Sequence, residues 1–156
     1  MKSKSIVVAG AAILALGSMS AAVARDDRLM FPVKSAMEKG QTTKDRLDPA
    51  IPLYFGKKAP AGVEKRIGEW TSNKKTNAAN KSDQDACEIA FVSAALSLQE
   101  RAKREGGNAV VNIKSVYKNE NVENDTQYLC GAGTFTAGVA LRGTVVTLKK
   151  GAAPKK

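Results

Sequence analysis

Between Ser82 and Gly107 the apolar residues recur at helical spacing, whereas on either side they alternate or cluster in shorter runs broken by glycine, proline and polar residues. Cys87, Ala90, Phe91, Ala94, Leu98 and Ala102 form one stripe at intervals of three and four, the pattern of a helix laid against a core. Ser82 is placed to cap it, with Asp85 three residues later as a variant of the capping box, and Asp83 and Asp85 supply negative charge to the first turn. Arg101, Lys103 and Arg104 fall in the last turn, where positive charge opposes the negative end of the helix dipole. Gly106-Gly107 ends the helix. Small residues on the stripe permit close packing on a sheet, and Ile89, Val92 and Leu96 widen the apolar surface, which predicts cover on a second side from the proline-rich segment upstream.

Downstream, Ala109 to Lys118 reads as a strand, with Val111, Ile113 and Tyr117 on one face and Asn112 and Lys114 on the other. Asn119 to Asp125 is expected to be a polar turn. Its Glu120, Glu123 and Asp125 lack the glycine and terminal glutamate of a calcium-binding helix-loop-helix motif. Thr126 to Phe135 and Gly138 to Leu148 supply two further strands, in which Gly131, Gly133, Gly138 and Gly143 mark bulges, bends or close backbone approaches.

Upstream, Val63 to Thr71 alternates and predicts a strand, followed by a polar loop over Asn73 to Lys81. Residues 25–60 read as irregular: a helical patch around Val33 to Lys39 stops at Gly40, Pro49, Pro52 and Pro60 forbid any long element, and Ile51 to Phe55 suits a short edge strand. The expected fold is therefore α+β, one main helix packed on a mostly antiparallel sheet of about four to five strands. An irregular cover spans 25–60, the core domain 61–149 and a basic tail 150–156.

The first residues carry a different signal. Lys2 and Lys4 precede an apolar run from Ile6 to Leu16, and small residues then lead to Ala22-Val23-Ala24, the pattern that signal peptidase reads. This predicts a signal peptide over 1–24, cut between Ala24 and Arg25. The run is too short to cross a bilayer of about 30 Å as a helix, so no transmembrane anchor is expected. With no cysteine near the cut, lipoprotein processing is not expected either. The mature product belongs in a bacterial periplasm or the medium.

Removing 24 of the 156 residues leaves 132, enough for one small domain. Hydrophobic residues at 43% and charged residues at 26% describe a globular chain. All fifteen acidic residues follow the cut and only two of the 25 basic ones precede it, so the mature chain keeps a charge of +8. That charge either serves solubility alone or favours anionic lipid head groups, polysaccharide or nucleic acid. The lysines come as Lys57-Lys58, Lys74-Lys75, Lys149-Lys150 and Lys155-Lys156 without interleaved aromatics, so no specific nucleic-acid partner is indicated. Lys74, Lys75, Arg101, Lys103 and Arg104 are the candidate anion-binding residues.

Cys87 and Cys130 stand 43 positions apart, and in an exported protein pairing is the expected state. A reactive thiol at the helix start is the rival reading, but there is no histidine to activate it and no C-x-x-C partner. With both cysteines bridged and the oxygen ligands scattered, neither a metal site nor a cofactor is indicated. No Ser-x-x-Lys or Gly-x-Ser-x-Gly segment occurs, so Ser93 and Ser97 read as packing residues.

Ala86-Cys87, Leu98-Gln99-Glu100-Arg101-Ala102, the run from Glu105 through Gly106-Gly107-Asn108-Ala109-Val110-Val111-Asn112 to Ile113, Cys130-Gly131-Ala132-Gly133 and Gly138-Val139-Ala140-Leu141-Arg142-Gly143 resemble a family of small exported proteobacterial proteins often labelled "excinuclease ATPase subunit". The resemblance extends through Arg25-Asp26-Asp27, Tyr54-Phe55-Gly56 and the run from Thr71 to Asn77, nearly the whole mature chain. The label implies ATP hydrolysis, which needs a glycine-rich loop ending in Gly-Lys-Ser/Thr to cradle phosphates and hold magnesium. No such segment is present; Gly131-Ala132-Gly133-Thr134 has no lysine and no following helix, and a leader would carry the chain away from cytoplasmic ATP and DNA. An ATPase or DNA-repair role is rejected on those grounds.

More distantly, the helix followed by Gly-Gly-Asn-Ala-Val-Val is similar to the small α+β domains of the YbjQ heavy-metal-binding-like family and of the envelope stress lipoprotein RcsF. This chain lacks the lipoprotein's anchoring cysteine and extra disulfide, so a sensor role does not carry over. The expectation is an exported, noncatalytic envelope or binding protein. Attachment to an anionic envelope polymer is the first alternative and an enzyme with an unrecognised site the second.

Overall fold

In chain order the elements are β1 (Asp27–Pro32), α1 (Val33–Thr42), β2 (Leu53–Phe55), β3 (Val63–Asn77), α2 (Asp83–Arg104), β4 (Ala109–Tyr117), β5 (Glu120–Val122), β6 (Gln127–Ala132) and β7 (Thr136–Leu148). They come from a computed structural model that describes residues 25–42 and 47–151. The expected leader over 1–24, including Ala24, and positions 152–156 of the expected tail lie outside the described residues.

α2 forms where the periodicity places it. The Ser82 hydroxyl accepts from the Asp85 amide at 3.1 Å, and the Gly107 amide closes the other end on the Ala102 carbonyl at 2.8 Å. All six stripe residues from Cys87 to Ala102 are buried. Phe91 is central, its ring 5.5 Å from Phe55 and 4.4 Å from Tyr128. Burying a side chain such as Phe91 or Leu98 contributes about 1.5–3 kcal/mol.

The sheet is larger than the sequence predicts. Seven strands, not four or five, form one mixed sheet, and a second helix accompanies the first. β7 lies at its centre, paired antiparallel with β3 along one side and with β4 and β6 along the other; β1 extends β6, β5 extends β4, and β2 runs parallel to β4. Three segments account for the difference. Asp27–Pro32 has no strong alternation of its own, yet it pairs residue for residue with β6 and turns Leu29 and Phe31 toward the core. Within the expected polar turn, Glu120–Val122 folds back on Ser115–Tyr117 as a hairpin. The first part of the expected loop, Asn73 to Asn77, is instead the end of β3, because Thr136–Gly138 of β7 offer ladder partners as far as Asn77, while the rest up to Lys81 is a loop as expected.

The alternation expected in β4 also fails. Val110 and Ile113 face the core under α2, whereas Ala109 and Val111 pack on the opposite face with Val146 and Leu148. The register shifts between Val111 and Lys114, and Asn112 adopts a left-handed φ of 52°. An extra residue at a bulge moves the following side chain to the other face, so Val111 and Ile113 do not share one.

Part of the segment read as an irregular cover is thus built into the sheet, and α1 lies against α2. The second side of α2 is only partly covered: Val92 is buried beside Gly40, but Leu96 stays half-buried on the flank facing β3. That flank leaves a groove.

Candidate functional site

The groove follows from two periodicities. Trp70, Ser72 and Lys74 alternate along β3 opposite Gly143, Leu141 and Val139 of β7, on the sheet face that carries α2. Ser93, Ser97, Arg101 and Arg104 recur along α2 at intervals of four and three, so they share the helix flank beside β3. At its inner end is a small cavity of about 100 Å³ lined by Trp70, Ser72, Ser97, Leu98, Arg101 and Arg104 among others. Beyond Ser97 it continues as a shallower stretch of about 340 Å³ along Lys74, Lys75, Leu96 and Glu100.

Local contacts hold the cavity open. Gly68 has no Cβ, and one placed there would lie 2.6 Å from Trp70 Cη2, so the indole lies over bare backbone. The Arg101 guanidinium stacks 4.8 Å above the indole centroid. Its Nε lies 2.9 Å from Glu105 Oε1, an ion-pair distance without hydrogen-bond geometry. Ser72 is 6% exposed, and its Oγ has no hydrogen-bond partner among the described residues. A buried hydroxyl without a partner is costly unless something else satisfies it.

Four of the five candidate anion-binding residues line the groove, and Lys103 does not. Lys74 and Lys75 are successive strand residues that leave the sheet on opposite faces, yet Lys75 lines both the outer stretch of the groove and the concavity on the other face. Lys103 turns away and pairs with Asp48 at 2.6 Å, which holds the Asp48 carboxyl below the usual carboxylate range. None of Lys74, Lys75 and Arg104 makes an ion pair among the described residues. Trp70 and Ser72 are contributors that the sequence reading does not single out. Their signal is the continuation of β3 past Thr71, which places Trp70, Ser72 and Lys74 in one row.

The two cysteines are joined, Cys87 of α2 to Cys130 of β6, with Cα atoms 5.9 Å apart. Arg25, the expected first mature residue, pairs with Asp27 and Asp83.

No family model and no curated protein matches the chain. A solved structure does. It is a protein of unknown function from Pediococcus pentosaceus, assigned to the DUF74 family, 16% identical, covering 65% of this chain and all of its own with a TM-score of 0.45. Likeness at that level carries no functional argument.

A second concavity, of about 370 Å³, lies on the opposite sheet face by the β6–β7 turn. Gly131 and Gly138 stand opposite each other there, and the Tyr117 ring lies over Gly131 while its hydroxyl donates to Asp26 at 2.7 Å. Burial and that carboxylate raise the Tyr117 phenol above its ordinary value. Phe135, 73% exposed, sits at the rim.

Between α1 and α2, the buried Glu88 carboxylate accepts from Ser35 Oγ, from Gln84 Nε2 at 3.0 Å and from Lys39 Nζ at 3.2 Å. Burial pushes this carboxyl up, but those donors outweigh it and leave it below the usual glutamate value. Its partners are all structural, so this carboxylate fastens the two helices together. The groove beside β3 differs, because its cations and its buried hydroxyl have donors to spare.

Proposed function

We propose that this chain is an exported, noncatalytic binding protein of the cell envelope, periplasmic or secreted, that engages an anionic envelope polymer through the groove between α2 and β3. The observation that carries the reading is the convergence of Lys74, Arg101 and Arg104 on one open groove beside the buried, unpartnered Ser72 hydroxyl. Guanidinium and hydroxyl donors held on a helix and a strand are suited to recognising oxyanions. The leader-like sequence over 1–24 and the Cys87–Cys130 disulfide support an oxidising destination. Among the described residues no helix is long and apolar enough to cross a membrane.

The test is retention of the purified native protein on immobilised lipopolysaccharide, peptidoglycan and DNA, beside an unrelated protein of matched charge. The reading expects retention on an envelope polymer at physiological salt, beyond that of the control and reduced in R104Q. Elution of both proteins at the same low salt would overturn it, since nonspecific attraction is screened over about 8 Å at that ionic strength.

A further inference from the structure

The geometry points to a phosphoryl group as the ligand of the inner cavity, carried as a monoester on a hydroxylated, sugar-like molecule. This deepens the binding reading above and rests on it. Four observations lead there.

Ser72, whose buried Oγ has no hydrogen-bond partner among the described residues, is part of the cavity wall, where a bound group would supply one. The cavity, at about 100 Å³, is well above the roughly 10–15 Å³ that one water needs, and suits a compact oxyanion better than an extended ligand. Two guanidinium groups line it. Arg101 is fixed in place by the Trp70 ring and by Glu105 on its Nε, while its terminal nitrogens make no hydrogen bond among the described residues. Arg104 is free of any ion pair there. A tetrahedral oxyanion offers acceptors in several directions at once, which suits a hydroxyl from the strand and guanidinium groups from the helix better than a planar carboxylate does.

The outer stretch indicates what the phosphoryl group is attached to. Past Ser97 the groove presents Lys74, Lys75, Ser93, half-buried Leu96 and Glu100. Glu100 accepts from hydroxyls, Lys74 and Lys75 donate to them, and Leu96 offers a small apolar face. A polyhydroxylated unit bearing the phosphoryl group meets these requirements.

The experiment follows backbone amides and arginine side chains of the native protein by NMR during titration with inorganic phosphate, glucose 1-phosphate and galacturonate, each at constant ionic strength against chloride. Both phosphates are expected to perturb Ser72, Ser97, Arg101 and Arg104. Glucose 1-phosphate alone is expected to extend the change to Lys74 and Leu96. R104Q weakens both roughly tenfold, the usual size of losing one charge-assisted hydrogen bond. S72A weakens binding while leaving the urea midpoint unchanged or higher, because it removes a hydroxyl that has no partner in the free protein.

Perturbation no greater than chloride produces would overturn the inference, as would galacturonate binding more tightly than either phosphate. It would also fall if S72A left phosphate affinity unchanged, since the hydroxyl would then be satisfied by water alone. Should the groove ignore phosphate while the native protein still stays on an envelope polymer, this inference fails and the broader reading stands; loss of that retention as well removes both.

Discussion

Gln99, buried in α2, donates from Nε2 to the Ile51 carbonyl at 2.7 Å, and so ties the chain entering β2 to the middle of the fold. The same amide group donates to the Asp48 carbonyl and accepts from the Asp48 amide, both at 2.9 Å. One side chain thereby satisfies three backbone groups in a segment that has no ladder of its own. Replacing Gln99 by Leu leaves those groups without partners, and a loss of about 1–3 kcal/mol is expected. Urea denaturation measures it, and limited proteolysis should show earlier cutting around residues 47–52. An unchanged midpoint would mean that water replaces the amide.

The disulfide joins α2 to β6 across a 43-residue separation, which on the chain-entropy model contributes about 4 kcal/mol. C87A/C130A should therefore lower the unfolding midpoint sharply, and a reductant added during unfolding should lower the wild type to a similar level. If the reductant leaves the wild-type midpoint in place, the bond does not carry that share.

Gly143 and Gly131 both face side chains at distances no Cβ tolerates, but their surroundings differ. A Cβ at 143 would lie 2.6 Å from Val110 Cγ1 inside the core, whereas one at 131 would lie 2.1 Å from the end of the Tyr117 ring, which is half-buried. G143A is expected to cost about 1–3 kcal/mol as overpacking, and G131A less, because the ring can swing outward. The swing would break the Tyr117–Asp26 hydrogen bond and return the phenol from its raised value toward about 10. Ultraviolet titration reads that shift. Equal losses in the two variants would contradict the difference in surroundings.

Glu88 and Lys39 make the α1–α2 contact dependent on pH at both ends. The Glu88 carboxyl is held below its ordinary value, so its contribution is complete above about pH 4.3 and is lost as pH falls through the depressed value. Burial lowers the Lys39 ammonium, but bonds to Asp85 and Glu88 outweigh that and raise it. Its contribution is complete below about pH 10.4 and fades as pH rises through the higher value. Urea midpoints from pH 7 to pH 3 should fall less steeply for E88Q than for the wild type. Parallel curves would remove Glu88 from the acid response.

The helix was legible because its signals are local. Ser82, the stripe from Cys87 to Ala102 and Gly106-Gly107 fix its start, face and end within the span of its own hydrogen bonds. Much of β4 and β7 was legible for a similar reason, since their apolar runs exceed what a loop would carry. β1 and β5 were not, because Asp27–Pro32 and Glu120–Val122 become strands only when β6 and β4 lie alongside. The groove shares that difficulty. Arg101 and Arg104 could be assigned to the last turn from sequence, but the row of Trp70, Ser72 and Lys74 exists only because β7 extends β3 to Asn77.

What the chain by itself determined is the position of α2, its buried face and the expectation that Cys87 and Cys130 pair. Tertiary structure alone decided the parallel seat of β2, the bulge that separates Val111 from Ile113, the opposite directions of Lys74 and Lys75, and the meeting of Ser72 with Arg101. Helical periodicity and capping act over a few neighbouring residues, whereas strand register is set by partners many residues away, and a shift of one position sends every following side chain to the other face.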